Sequence, residues 1–437
     1  MRILIDGYNL SKQKGTGVAN YGKNLAQNLL EAGHEVGIIF PYNIKNINRN
    51  KNLTSLVGDI KINLKEFESI KFYKMPIYFL QACLQQYKVR EISLNKEAVI
   101  PEFNTENFYR YRILYGDSIF KLAHAFFQLT NQLLPIKVPD DVDIVHWTYP
   151  IPIRALNKPN LYTIHDLVPI RLPYTTLDNK ELYVKTIAKI CQNAHKIVTV
   201  SDHTKEDLCQ LFEIEKNKVF TSWQSSFLKK ENICSQFMQD SILQTYNLRK
   251  QDYFIFLGNI EPKKNVKRLI QGYLSSNAEQ PLIIIGDKAW KSEEELAQYY
   301  QLKKTIELSN QLNAKLNQIR ILKYLPQQEM VALLANAKAL IFPSLYEGFG
   351  LPVLEAMQLG VPVLTSNTSS IPEIAGDAAL YIDPYDVEAI SLGINKLSNE
   401  NQLCQQLSKK GFERSRKFNT TLYQKRIIEL YNSIINQ

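Results

Sequence analysis

The thirteen residues Pro343-Ser344-Leu345-Tyr346-Glu347-Gly348-Phe349-Gly350-Leu351-Pro352-Val353-Leu354-Glu355 admit few folds. The apolar run Ala339–Phe342 before them reads as a buried strand, and Pro352 is suited to the first residue of a helix. A strand, a Gly-x-Gly turn and a helix start leave free backbone N–H groups that can cradle a phosphate. Glu347 and Glu355 flank the turn, and their carboxylates can accept hydrogen bonds from sugar hydroxyls. Ribose, diphosphate and hexose together present that pattern. An ordinary strand-to-helix turn, with a glutamate favouring the helix dipole, would use the same residue types. The rest of the chain must decide.

At 437 residues the chain exceeds one ordinary core and calls for two or three domains. Its apolar runs, such as Pro281–Ile285, are strand-sized and none reaches the length of a membrane span. Asp6 follows Met1-Arg2-Ile3-Leu4-Ile5 too early for a secretory signal, so this opening reads as a first strand. Five cysteines, Cys83, Cys191, Cys209, Cys234 and Cys404, lack metal-ligand spacing and are odd in number, which suits neutral thiols in a reducing cytoplasm. A net charge of +9 suits an anionic partner: a phosphorylated substrate, a phospholipid surface or nucleic acid. No zinc-finger, RNP or basic-zipper pattern is present, so nucleic acid is not expected.

Alternating strand and helix patterns predict an α/β fold of two doubly wound, Rossmann-like domains facing a cleft. Strand Ile3–Ile5, helix Val18–Ala32 and strand Val36–Phe40 open the first, with Gly33-His34 as the helix stop. From Pro41 to Pro139 the pattern is less regular. Aromatic and basic residues interleave across 70–112, a composition that serves either a membrane or polyanion surface or snorkelling side chains over a core. Strands Asp143–Trp147, Asn160–Ile164 and Lys196–Val200 follow, with a helix over Asp178–Asn193 and Ser201 as a helix N-cap. Apolar periodicity fades from Ser222 to Gln251, which places the domain connection there. The second series runs through strand Tyr253–Leu257, helix Val266–Tyr273, strand Leu282–Ile285, one long helix Glu293–Leu312 and strand Ile319–Leu322. Helix Gln327–Asn336, strand Ala339–Phe342, strand Val361–Leu364 and helices near Asp386–Ser398 and Thr420–Asn436 complete it. The expected divisions are 1–222 and 223–419, with 420–437 packing back on the first domain.

Three more segments carry chemistry. In Leu257-Gly258-Asn259-Ile260-Glu261-Pro262-Lys263-Lys264-Asn265, two lysines at a strand's end can neutralise a diphosphate leaving group. A solvated basic loop is the plain alternative. In Thr163-Ile164-His165-Asp166, a strand-end histidine can hydrogen-bond a reacting sugar from the other side of a cleft. The loop Lys14-Gly15-Thr16-Gly17 can bring backbone N–H groups to phosphate or acceptor. No Gly-x-Ser-x-Gly elbow supports a serine hydrolase, and no His/Asp/Glu cluster has metal spacing, so no metal is expected.

These segments, with Val198-Thr199-Val200-Ser201, resemble the retaining family 4 glycosyltransferases of GT-B fold across nearly the whole chain. The run Thr365–Asp377 is similar to that of bacterial polysaccharide mannosyl- or rhamnosyltransferases. The resemblance implies that Glu355 holds the ribose hydroxyls and that Glu347 lies by the anomeric centre of the donor sugar. It implies that the amides of Phe349, Gly350 and Leu351 meet sugar hydroxyls and phosphate. Lys264, with Lys263 beside it, would bind diphosphate, and His165 would contact the sugar; Gly15, Thr16 and Gly17 line the donor, and Tyr324-Leu325 faces the base. Asn259 stands where many relatives have an arginine, which leaves Lys263 as the second positive charge.

The implied reaction moves a hexose, GDP-mannose being the first donor considered, to a saccharide or polyprenyl-linked acceptor in surface polysaccharide synthesis. It uses no cofactor, and it takes place in the cytoplasm with peripheral contact at the inner membrane. Rival readings are a same-fold phosphorylase or nucleotide-sugar epimerase, and a non-catalytic polyanion- or membrane-binding protein. No pyridoxal-phosphate lysine is identifiable for the phosphorylase, and the Glu347/Glu355 pair opposes the polyanion binder.

Overall fold

A computed structural model describes residues 1–10, 17–41, 74–92, 110–226, 228, 234–305, 310–323 and 325–436. The first half contains β1 (Arg2–Asp6), β2 (Glu35–Phe40), β3 (Arg90–Ile92), β4 (Arg112–Tyr115), β5 (Leu134–Ile136), β6 (Ile144–Trp147), β7 (Ile153–Ala155), β8 (Asn160–Ile164), β9 (Lys196–Thr199) and β10 (Val219–Thr221). Eight of these strands form a sheet of order β10-β9-β8-β6-β1-β2-β4-β3, while β5 and β7 pair separately. Only β3–β4 is antiparallel in the eight-stranded sheet. Strands such as Asn160-Leu161-Tyr162-Thr163-Ile164 are buried throughout, because helices cover both faces of a parallel sheet.

The second half contains β11 (Phe254–Leu257), β12 (Leu282–Ile285), β13 (Ile319–Leu322), β14 (Ala339–Phe342), β15 (Val363–Ser366) and β16 (Leu380–Ile382). They form one parallel sheet of order β13-β12-β11-β14-β15-β16. That is the dinucleotide-binding order, in which the direction of strand addition reverses between the first and fourth strands and opens a crevice at their carboxyl ends. Here those strands are β11 and β14. The lysine loop follows β11 and the glutamate segment follows β14, so the topology alone brings the two together.

The final helix, Thr420–Ile435, buries Tyr423, Ile427, Leu430 and Tyr431 in one apolar cluster with Ile3, Ile5 and Leu25 of the first half. A polar seam crosses the same contact. Tyr431 Oη lies 2.6 Å from His146 Nδ1, His146 Nε2 lies 2.8 Å from Thr163 Oγ1, and Thr163 Oγ1 lies 2.9 Å from Tyr21 Oη. Burial, with a smaller push from His165, drives the His146 pKa down to about 3, so the ring is neutral and both its nitrogens need partners.

Several sequence expectations shift. The predicted helix Glu293–Leu312 is two helices, Ser292–Lys304 and Asn310–Asn317, the first closed by Thr305 in an extended conformation. Its polar composition gives no apolar stripe from which a break could be read. The strand expected at Val361–Leu364 is Val363–Ser366, because Pro362 has no N–H to donate to the ladder, although its carbonyl accepts from Leu340. The fading stretch Ser222–Gln251 contains the helix Gln236–Thr245, which buries only Leu243 and so shows little periodicity. The helix Asn401–Ser415 was missed for the same reason, since it buries only Leu407, Gly411 and Ser415. Cys83 is exposed, while burial pushes the Cys191 thiol up to about 12. Much of the aromatic-basic segment lies outside the described residues. Within it, Arg112 sits in β4 and pairs with Glu91 at 2.7 Å and Asp141 at 2.9 Å.

Replacing Tyr431 by Phe leaves His146 Nδ1 buried without its partner. Urea denaturation should show a loss of about 1–3 kcal/mol, the penalty for an orphaned buried polar group. An unchanged midpoint would mean that the seam adds nothing to the docking of the last helix.

Candidate active site

The site is assembled from the carboxyl ends of β11 and β14. After β11, Gly258 takes φ +146° and the chain reaches Lys263 and Lys264 in a single 3-10 turn, Pro262–Lys264. Asn265 ends that turn at φ 61°. Its side-chain amide donates to the carbonyls of Pro343 at 3.0 Å and Pro384 at 2.7 Å, tying the lysine loop to the end of β14. After β14, Gly350 adopts φ +105°, which only glycine takes readily, and caps the helix Leu351–Gln358. Pro352 is the second residue of this helix rather than the first.

Lys264 Nζ donates to Glu347 Oε1 at 2.6 Å, and both side chains are largely buried. Ser344 Oγ donates to the same carboxylate oxygen at 2.6 Å, and the Glu347 amide donates to Ser369 Oγ at 2.9 Å. Burial alone would raise the Glu347 pKa, but Lys264, Lys263 and the Ser344 hydroxyl hold it below the usual carboxylate range. Lys264 Nζ also lies 4.9 Å from the centre of the Phe342 ring. The ammonium is therefore fixed in place rather than free on a long stem.

Glu355 is in a different state. It is mostly buried on the first two turns of the helix, no side-chain hydrogen bond reaches it from the described residues, and desolvation raises its pKa to about 7. The amides of Phe349, Gly350 and Leu351 likewise make no hydrogen bond among the described residues. A helix N-terminus with free donors and an unpartnered carboxylate nearby can receive an anion and a diol together.

From the first half, His165 enters at the end of β8. Its Nε2 lies 2.8 Å from the Thr148 carbonyl oxygen, which can only accept, so Nε2 carries the proton and Nδ1 is left as an acceptor. Burial keeps the imidazole pKa below its ordinary value, against the opposing pull of the Thr148 carbonyl and Asp166. The Tyr21 ring meets it edge-on at 4.8 Å. Lys263 Nζ is 3.8 Å from Asp166 Oδ2 and 3.9 Å from Glu261 Oε1. Burial works against the Lys263 charge, but the carboxylates of Asp166, Glu347 and Glu261 outweigh it and raise its pKa.

The halves meet closely. A Cβ at Gly348 would lie 2.0 Å from the His165 carbonyl oxygen, so no larger residue fits there without moving one half. Tyr346 donates to Asp207 at 2.6 Å, and Glu373 accepts from the amides of Asp202 at 2.8 Å and His203 at 3.1 Å and from the Trp223 indole. A carboxylate of one half thus caps the helix Asp202–Phe212 of the other. The Phe349 ring packs edge-on against Phe418 at 5.8 Å.

The structure thus pairs Lys264 with Glu347, sets Lys263 beside Asp166 and places the His165 carbonyl over Gly348, while Phe349, Gly350, Leu351 and Glu355 follow on the same segment. Asn259 is exposed and its side chain makes no hydrogen bond among the described residues, and Leu325 packs against the core of the second sheet. Gly17 is the first residue of the helix Gly17–Glu31, and a Cβ there would meet nothing within 4 Å. Gly15, Thr16 and Tyr324 lie outside the described residues. Ser344 and Ser369, which seat Glu347, escaped sequence reasoning. Ser344 stands inside the glutamate segment and Ser369 inside the run Thr365–Asp377, and nothing else in the sequence marks them.

The raised Glu355 pKa fixes the sign of a pH effect. Below the ordinary glutamate value of 4.5 its carboxyl is protonated whether folded or unfolded. Between there and about 7 only the folded form keeps the proton, so stability falls as pH rises through this window. Glu355→Gln should raise Tm relative to the wild type at pH 8 and by clearly less at pH 5.5. An equal or opposite difference at the two pH values would refute the buried, unpartnered state of this side chain.

Family models match both halves. The Glycosyltransferase Family 4 model covers residues 93–221, and the Glycosyl transferases group 1 model covers 239–414. The O-antigen chain mannosyltransferase B of Escherichia coli is 32% identical over 267 residues, which is 59% of this chain and 65% of that protein. The serotype-specific mannosyltransferase WbdA of Escherichia coli is 28% identical, over 62% of this chain and 33% of its own length. The chain thus matches under two thirds of the length of each. HepE of Anabaena, in a crystal structure with UDP and glucose, superposes with a TM-score of 0.66 at 13% identity, over 99% of this chain and 100% of its own. WaaG, a glycosyltransferase involved in lipopolysaccharide biosynthesis, gives 0.59 at 14% identity, over 98% and 99%. At such identities the structural likeness speaks for the fold. Matched in order, the two models give the chain a Glycosyltransferase Family 4 domain followed by a Glycosyl transferases group 1 domain, on a GT-B fold.

Proposed function

We propose that the protein transfers a mannosyl residue from GDP-mannose to a saccharide hydroxyl during surface polysaccharide assembly, with retention at the anomeric carbon. The observation that carries the reading is the buried Lys264–Glu347 pair at the switch point, beside the unpartnered Glu355 and the free amides of Phe349 to Leu351. Glu355 would accept from the ribose diol, the amides would meet phosphate and sugar hydroxyls, and Lys264 with Lys263 would face the diphosphate. HepE holds UDP and glucose in the same fold, and the mannosyltransferases of Escherichia coli supply the choice of sugar. The guanine base rests on that choice alone.

The reaction breaks the bond between the anomeric carbon and the phosphate oxygen, and the bonding electrons leave with the phosphate. The acceptor hydroxyl oxygen bonds to the same face of that carbon and passes its proton to the departing phosphate oxygen. Charge grows on the phosphate as the bond lengthens, and the fixed ammonium of Lys264 stabilises it there. Glu347, held anionic by its lysines, would favour positive charge developing at the sugar ring. His165, neutral with Nδ1 as an acceptor, would take a hydrogen bond from a donor-sugar hydroxyl. The net charge of +9 supports work beside an anionic membrane surface, although no described helix is long and apolar enough to cross a membrane.

A thermal-shift screen of GDP-mannose, UDP-glucose and a nucleotide-linked rhamnose should show the largest rise in Tm with GDP-mannose. NMR of the product of its transfer should show an α-mannosidic linkage. A β-linkage would reject retention, phosphate-dependent cleavage or epimerisation without transfer would favour a same-fold rival, and no shift with any nucleotide sugar would reject the donor reading.

A further inference from the structure

Asp6 is the last residue of β1, in the interior of the first sheet, and its side chain is fully buried. Among the described residues it makes no ion pair. A buried carboxylate without a counter-charge is costly, so what it holds is informative. We propose that Asp6 is a positioning residue for transfer, which through Thr148 fixes the tautomer and the aim of His165. The proposal rests on the donor reading for the part His165 plays in transfer. The hold of Asp6 on the imidazole needs no ligand.

The first argument is geometric. Asp6, Thr148 and His165 stand at the carboxyl ends of three neighbouring strands, β1, β6 and β8. Asp6 Oδ2 accepts from the Thr148 amide, and Oδ1 accepts from the Tyr8 amide at 3.1 Å. The Thr148 carbonyl in turn accepts from His165 Nε2 at 2.8 Å. Thr148 lies one residue past β6, beyond the paired part of the ladder, so these two bonds set its orientation. Its amide is held by Asp6 and its carbonyl holds His165.

The second argument is chemical. A carboxylate can only accept, which suits two amide donors that converge on it. Burial raises the Asp6 pKa to about 6, while the Thr148 and Tyr8 amides and the Thr148 hydroxyl oppose the rise, so the group is ionised at pH 8. The carbonyl it orients is also an acceptor alone. The imidazole proton therefore stays on Nε2, and Nδ1 keeps its lone pair for a sugar hydroxyl. The Tyr21 ring, edge-on at 4.8 Å, bounds the imidazole on another side. A Thr148 carbonyl turned away would release the ring to the other tautomer, in which Nδ1 is a donor.

The test begins with NMR of the full chain carrying ¹⁵N-labelled histidine, at pH 8 and without ligand, the His165 signals being assigned with His165→Ala. The wild type should show the Nε2–H tautomer. Asp6→Asn keeps the side chain's size but sets an amide donor against the Thr148 or Tyr8 amide, and should give a mixture of His165 tautomers. Asp6→Ser removes the charge while keeping an acceptor; it serves where the first variant does not fold and should give a mixture too. In transfer from GDP-mannose, measured below each unfolding midpoint, Asp6→Asn should lower kcat about 10–100-fold, the scale of a misplaced group. Added to His165→Ala it should lower kcat no further, because the two act as one unit. An Nδ1–H tautomer in the wild type, an unchanged His165 signal in a folded Asp6 variant, or losses that multiply in the double variant would overturn the proposal. A tautomer change with full turnover in both single variants would uphold the hold of Asp6 on His165 and reject the sugar contact of His165. A chain that uses no nucleotide sugar would fail the donor reading, and the NMR signals would still decide what Asp6 holds.

Discussion

The Lys264–Glu347 ion pair is the interaction around which the second sheet's working edge is organised. Removing two opposite charges from water costs several kcal/mol for each ion, and a pair offsets that only with good geometry and further hydrogen bonds. Here the contact is 2.6 Å, Ser344 adds a bond to the same oxygen, and the amide of Glu347 is held by Ser369. The strand order explains why such a pair can form. The order of strand addition reverses between β11 and β14, and the loops leaving those strands have a crevice to fill. A lysine from one loop and a glutamate from the other neutralise each other across it.

The second constraint is contact between the halves. Gly348 lies under the His165 carbonyl, Glu373 caps a helix of the opposite half, and Tyr346 reaches Asp207. The Trp290–Thr175 bond crosses the same boundary. The last helix returns to the first sheet through a buried chain of hydrogen bonds that ends at Tyr21, whose ring touches His165. Packing far from the cleft is thus continuous with the residue that would contact the sugar.

The sequence showed the parallel strands and the chemistry at their ends because both are local. Continuous apolar runs such as Leu282–Ile285 have few alternatives to a buried parallel strand. The glutamate segment, the two lysines and the strand-end histidine declare their residue types within a few positions. Helices with sparse buried faces, Gln236–Thr245 and Asn401–Ser415, left too little periodicity to detect. Contacts between distant segments left no trace at all: Trp290 with Thr175, Glu373 with the helix after Ser201, and His146 with Tyr431. The mostly buried, unpartnered state of Glu355 also belongs to tertiary structure, since burial rather than neighbouring sequence moves its pKa.

The central claim is that the fixed ammonium of Lys264 stabilises the departing diphosphate. Steady-state transfer from GDP-mannose by Lys264→Met, measured below the variant's unfolding midpoint, tests it directly. The account predicts a fall in kcat of about 10²–10³-fold, the usual scale for removing one preorganised group at a site of developing charge. Turnover indistinguishable from that of the wild type would contradict it.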